Sequence, residues 1–113
     1  TIEYATEVAI HALTDDDRSF AYGLLGLAYL SKGEYEKAIG YYEKCLAIEL
    51  KALGAKHPDV GGSYNNLGGA YHGKGDKATA MAYLLKAKAI FLKKLGAQHP
   101  NTKAVQWWID DLK

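Results

Sequence analysis

The side chains that could hold a metal or arm a nucleophile here are the histidines, the lone Cys45 and two aspartate runs, Asp15-Asp16-Asp17 and Asp110-Asp111. A metal site needs several such groups converging at ligand spacing, and no His/Cys/Asp/Glu cluster has it. His57 and His99 instead hold the same place in two copies of one phrase, "LGAKHPDV" at 53–60 and "LGAQHPNT" at 95–102. They therefore sit on successive connectors and not around one ion. The aspartates lack EF-hand spacing and read as capping and solvating residues. Cys45 stands where Ala87 stands 42 residues later, which makes it a small buried residue with an inert thiol. "GGAYHGKGD" (68–76) is glycine-rich, yet it crosses a helix end and a turn and does not follow a strand, so it is no phosphate loop. No nucleophile–base pair or nucleophile elbow is present. The expectation is a non-catalytic chain with no cofactor and no metal.

Bulk properties exclude several classes. The net charge of +1 gives no electrostatic argument for nucleic acid or an anionic membrane surface. No apolar run approaches the roughly 18 residues of a spanning helix, and no signal-peptide pattern opens the sequence. One cysteine cannot form an internal disulfide, so a reducing, cytoplasmic home is expected.

The elements that carry these residues come in repeats. A shift of 42 superimposes Tyr22, Leu25, Gly26, Ala28 and Tyr29 on Tyr64, Leu67, Gly68, Ala70 and Tyr71. The match continues through Lys32-Gly33, Ala38, Tyr41, Lys44 and Ala47-Ile48 to His57-Pro58, against Lys74-Gly75, Ala80, Tyr83, Lys86, Ala89-Ile90 and His99-Pro100. Within one unit, Tyr35, Ala38, Ile39, Tyr42, Cys45, Leu46, Leu50 and Leu53 recur at three- and four-residue steps, the stripe of an amphipathic helix. Leu-Gly ends that helix. His57 precedes the next one, held extended by Pro58 at the first helical position, and Asp59 complements the helix dipole. Gly26 and Gly68 each cost a helix about 1 kcal/mol relative to alanine. Their presence mid-helix predicts a neighbouring helix backbone too close for a β-carbon. Six helices are expected, near 1–13, 17–31, 35–53, 58–73, 77–95 and 100–112, with no strand.

With aromatic-x-x-Leu-Gly-x-x-Tyr (Tyr22, Leu25, Gly26, Tyr29) followed by Ala38, Tyr42 and Cys45, and its second copy Tyr64, Leu67, Gly68, Tyr71, Ala80, Leu84 and Ala87, the chain resembles the tetratricopeptide repeat (TPR). The unit exceeds the usual ~34 residues, and the longer form with its "LGxxHP" connector looks like the kinesin light chain type. The resemblance implies an all-α helix-turn-helix solenoid in a single domain, 1–113. It divides into a partial second helix (1–13), repeats at 19–60 and 61–102, and a partial or capping helix (103–113). Ile2, Ala5, Val8, Ile10 and Leu13 then correspond to Tyr42, Cys45, Ile48, Leu50 and Leu53, so both ends look cut from a longer array. In the last helix Gln106 takes the aromatic place and Asp110 the glycine place.

By the same resemblance, a concave face lined by the first helix of each unit binds a segment of a partner protein. Its residues here are Phe20, Gly23, Leu24, Leu27 and Ser31, then Gly62, Asn65, Asn66, Gly69 and His72, then Ala104, Trp107, Trp108 and Asp111. Phe20, Leu24, Leu27 and Trp107 would supply apolar contact, and Asn65 and Asn66 would bond a peptide backbone. Of the family's clamp for a terminal carboxylate only Asn66 is present; Gly23, Ala104 and Trp108 stand at the basic places. Trp108 is expected to pack beneath the second repeat and Trp107 to remain in the groove. The alternative is self-association of a homo-oligomer through the terminal helices.

Overall fold

The computed structural model describes the backbone of residues 2–113 and the side chains of residues 6, 7 and 9–113. Six helices follow one another: α1 (Ile2–His11), α2 (Asp15–Ser31), α3 (Tyr35–Leu53), α4 (Pro58–Lys74), α5 (Lys77–Leu95) and α6 (Pro100–Leu112), with no strand among the described residues. Each packs on its sequence neighbour, α1 on α2 most thinly. Within a pair the order of contacts runs backwards, as an antiparallel hairpin requires. Gly23 faces Cys45, Gly26 faces Tyr42, and Lys37 lies over the Tyr29 ring.

The repeated phrase sets the joints between pairs. Gly54 and Gly96 take φ of 89° and 88°, a region closed to most side chains, and so turn the chain out of α3 and α5 in the same way. His57 and His99 then do more than precede a proline. Each is extended, and its Nδ1 accepts a hydrogen bond from the backbone N–H two residues on, Asp59 at 3.0 Å and Asn101 at 3.1 Å. Imidazole thus serves as the helix cap, a role usually given to Ser, Thr, Asp or Asn.

Two ends differ by two residues from the sequence reading, and α4 runs one residue further, to Lys74. The first helix stops at His11 and not at residue 13, and the second begins at Asp15 and not at 17. Thr14 is the reason: its hydroxyl accepts from the Asp17 N–H, which makes the three aspartates the first turn of α2, where the dipole favours them. Leu53 closes the apolar stripe of α3 but is 40% exposed, because it lies in the last turn of α3, beyond that helix's buried residues. Leu13, its counterpart, is equally exposed. Ile10 is buried against Tyr22 and Cys45; Ile2, Ala5 and Val8 fall outside the described side chains.

The core is three successive clusters, one at each junction: Ile10, Tyr22 and Cys45; then Ala38, Ile39, Tyr42, Leu67 and Ala70; then Leu84, Ala87, Phe91, Val105 and Ile109. The mid-helix glycines explain how the pairs close. A β-carbon on Gly26 would lie 2.5 Å from the Tyr42 ring, and one on Gly68 would lie 2.8 Å from Leu84. The nearest opposing group is a buried side chain; the helix backbone expected from sequence comes close at Gly68, where the Ala80 carbonyl oxygen would be 3.4 Å away. Gly61 faces Phe91 at 2.8 Å in the same manner, whereas Gly69 has open space. Gly26→Ala and Gly68→Ala should each lose about 1–3 kcal/mol in thermal or urea melts, since Tyr42 and Leu84 have nowhere to retreat. Gly69→Ala should hold stability or gain up to about 1 kcal/mol. Equal losses at all three positions would contradict this packing. His99→Ala should lose on the order of 1 kcal/mol through its cap, and His99→Asn should recover most of it.

Candidate functional site

The first helices of the units, α2, α4 and α6, present corresponding rungs to one side. Phe20, Leu24 and Leu27 follow one another at four and three residues on α2 and are 68, 52 and 54% exposed. Large apolar side chains of one helix rarely stand in solvent together on a free surface. On α4 the corresponding rungs are small or polar. Asn66 is exposed, while Asn65, Gly69 and His72 are half-buried. The Asn65 Oδ1 and the His72 Nδ1 are buried and have no hydrogen-bond partner among the described residues. They lie two turns apart on one face of α4.

Trp108 is half-buried beside Leu84, Phe91 and Ile109, and its ring meets His72 edge-on at 5.5 Å. Val105 and Ile109, both at 2% exposure or less, carry most of the docking of α6. Trp107 stands edge-on to Trp108 at 5.2 Å and is 61% exposed. It lines a shallow hollow with Lys88 and Leu92 of α5 and with Gln106 and Asp110 of α6. Trp108 thus stands in edge-on contact with both His72 and Trp107, and Trp107 also borders the α5–α6 hollow. Gln106 donates to Asp110 at 2.9 Å, so a polar pair occupies the places held by Tyr64 and Gly68 one unit earlier.

Two features were not singled out from sequence. The first is a polar junction. Ser63 on α4 donates to the Glu49 carboxylate on α3, and the Cys45 Sγ lies 3.7 Å from the Ser63 Oγ. One unit later the same places hold Phe91, Val105 and Ala87, all buried and apolar. The signal in sequence was this pair of exchanges, Glu for Phe and Ser for Val, at positions 42 apart. Burial pushes the Cys45 thiol up to about 11, so it is a poor nucleophile at neutral pH. Burial also raises Glu49 above the ordinary carboxylate range, against the opposing pull of the Ser63 hydrogen bond.

The second feature is a tyrosine trio in each unit. Tyr22 and Tyr29 stack on Tyr41 at 5.9 and 5.5 Å; Tyr64 and Tyr71 stack on Tyr83 at 5.9 and 5.6 Å. Lys44 and Lys86 lie over these rings, a cation–π arrangement. The identities Tyr41/Tyr83 and Lys44/Lys86 were visible in the repeat, but the stacking was not.

Among the described residues no three His, Cys, Asp or Glu side chains are placed to hold a metal ion, and no helix is long and apolar enough to cross a membrane. The arrangement offers surfaces and hydrogen-bonding groups. A sequence model of the tetratricopeptide repeat matches residues 17–93, and the chain belongs to that family, whose repeats generally mediate contacts between proteins. Its structure is similar to that of a Podosopora anserina putative kinesin light chain with nearly identical TPR-like repeats, at 27% identity and a TM-score of 0.83. The overlap covers 97% of this chain and 53% of that one. BtubC (BKLC) from P. vanneervenii shares the fold at 22% identity and a TM-score of 0.83, over 97% of this chain and 46% of that one. The chain thus spans about half the length of these solved structures. No curated protein matches it in sequence.

The polar junction predicts a pH dependence. Because Glu49 holds its proton more tightly in the folded chain, its contribution is full below the ordinary carboxylate range and is lost as pH rises through the raised value. Glu49→Gln has no such loss. Its stability relative to the parent, measured by urea unfolding from pH 4 to 8, should improve as pH rises. A constant difference would mean the carboxylate is not what the junction responds to.

Proposed function

We propose that the chain is a non-catalytic scaffold that receives an extended segment of a partner protein across α2, α4 and α6. The repeats are read as 19–60 and 61–102, flanked by partial helices, and the chain is read as cytoplasmic. The observation that carries this reading is the row of exposed apolar side chains Phe20, Leu24 and Leu27 on α2, with the exposed Asn66 at the place on α4 that corresponds to Leu24. A buried polar atom left without a partner costs about 1–3 kcal/mol, which Asn65 would recover by turning its amide outward to a peptide N–H. Beside it, apolar side chains of the peptide would cover the leucines of α2, and Asn66 would bond the neighbouring peptide unit. The open space at Gly69 admits the peptide backbone. Trp107 extends the apolar contact toward α6.

A second reading, self-association through the terminal helices, is favoured by the hollow in which Trp107 and Leu92 are 61 and 42% exposed. One experiment separates the two. Peptides selected from a displayed library against the chain should lose about tenfold or more in affinity on Leu24→Ala or Asn66→Ala. Light scattering should show a monomer throughout. Peptides indifferent to both substitutions would overturn the groove reading; a dimer dissolved by Trp107→Ala would establish the second.

A further inference from the structure

Unit one contains a finished carboxylate site outside the groove. Glu7, on α1, accepts from the Tyr22 hydroxyl at 3.1 Å with one oxygen and from the Lys44 ammonium at 2.7 Å with the other. The Lys44 Nζ is at the same time 5.4 Å from the centres of both the Tyr22 and Tyr41 rings. Each partner stabilises the charged form of the other: the Lys44 hydrogen bond lowers Glu7, and the Glu7 hydrogen bond raises Lys44. The aromatic floor fixes the ammonium before the carboxylate is counted, and the phenol supplies the second donor.

Unit two repeats every part of this except the acid. The Lys86 Nζ lies 5.4 Å from the centre of Tyr64 and 5.6 Å from that of Tyr83, and those rings stack at 5.9 Å and 28°, as Tyr22 and Tyr41 do. The correspondence that sets Ile10 on Leu50 sets Glu7 on Ala47. Ala47 is exposed on α3, where a methyl group replaces the carboxylate arm. Glu43, one turn earlier, acts on Tyr83 through its charge, but no carboxylate among the described residues pairs with Lys86 within ion-pair distance. Beside Lys86 the surface is shallow and mostly small or apolar, formed by Ala78, Thr79, Ala82 and Tyr83.

We propose that Tyr64 and Lys86 form a receiving site for an aspartate or glutamate side chain of a partner polypeptide, between α3 and α5 and separate from the groove. The class of ligand follows from the copy inside the molecule: the same two donors over the same two rings already hold a glutamate. The flanking surface admits small or apolar neighbours of that acid on the partner. The site adds a charged anchor to whatever the first helices bind, and it stands or falls independently of the groove.

The test uses N-acetylglutamate N-methylamide as the probe, with chloride adjusted to hold ionic strength constant, and NMR of labelled lysine and tyrosine side chains. Lys86, Tyr64 and Tyr83 should respond together and saturably, with an affinity about two- to fivefold above that at the exposed Lys93 and Lys94, the range of a positioned exposed ion pair. Ala47→Glu should fill the site from within and abolish the response. Glu7→Ala should create the same response at Lys44 and Tyr22. These two surface changes act in opposite directions, so a general loss of folding cannot imitate the pair. A Lys86 response no larger than that of Lys93, or one that survives Ala47→Glu, overturns the proposal. Tighter binding of inorganic phosphate than of the carboxylate probe at Lys86 overturns the assignment of the ligand.

Discussion

The fit of Tyr42 against Gly26, and of Leu84 against Gly68, is the contact from which the rest of the molecule is built. At both places a large buried side chain of the second helix occupies the volume a β-carbon would need on the first. That approach sets the separation of the paired helices, and the separation decides which other residues can meet. It brings Tyr41 and Tyr83 between the tyrosines of the facing helix, and it turns Leu24 and Leu27 outward. A solenoid repeats whatever geometry its unit adopts, so an adjustment at one glycine is multiplied along the array.

Helix ends were legible in the sequence because their signals are local. Leu-Gly, His-Pro and Lys-Gly act within three or four residues, and five of the six helices begin or end where that chemistry places them. The misplaced boundary between α1 and α2 has the same origin. Thr14 and three aspartates offered several competing caps, and only the hydrogen bond to the Asp17 N–H decides among them. What stands opposite a glycine is not local information. Sequence could say that Gly26 needs room; that the neighbour is a tyrosine ring, 16 residues on, required the fold.

The exposure pattern of the proposed face was legible to the same degree. The periodicity that buries Tyr22, Leu67 and Ile109 leaves Phe20, Leu24, Asn66 and Trp107 outside, and those four are exposed. Periodicity could not say that Trp107 opens onto α5, nor that the Asn65 and His72 polar atoms lie buried and unbonded, since both depend on α6 lying against α4. Nor could it foresee the Ser63–Glu49 contact, which joins two helices across 14 residues of sequence.

That contact makes the two joints of the array chemically unequal. At α3–α4 the interface contains a carboxyl group whose protonation favours the folded chain; at α5–α6 the same positions hold Phe91, Ala87 and Val105, which do not titrate. Proton uptake by Glu49 therefore stabilises the fold at one joint through a group that the other joint lacks. In an array where each unit touches only its neighbours, the curvature of the whole is the sum of such joints. A single glutamate in place of a phenylalanine thus gives two corresponding joints a different dependence of stability on pH.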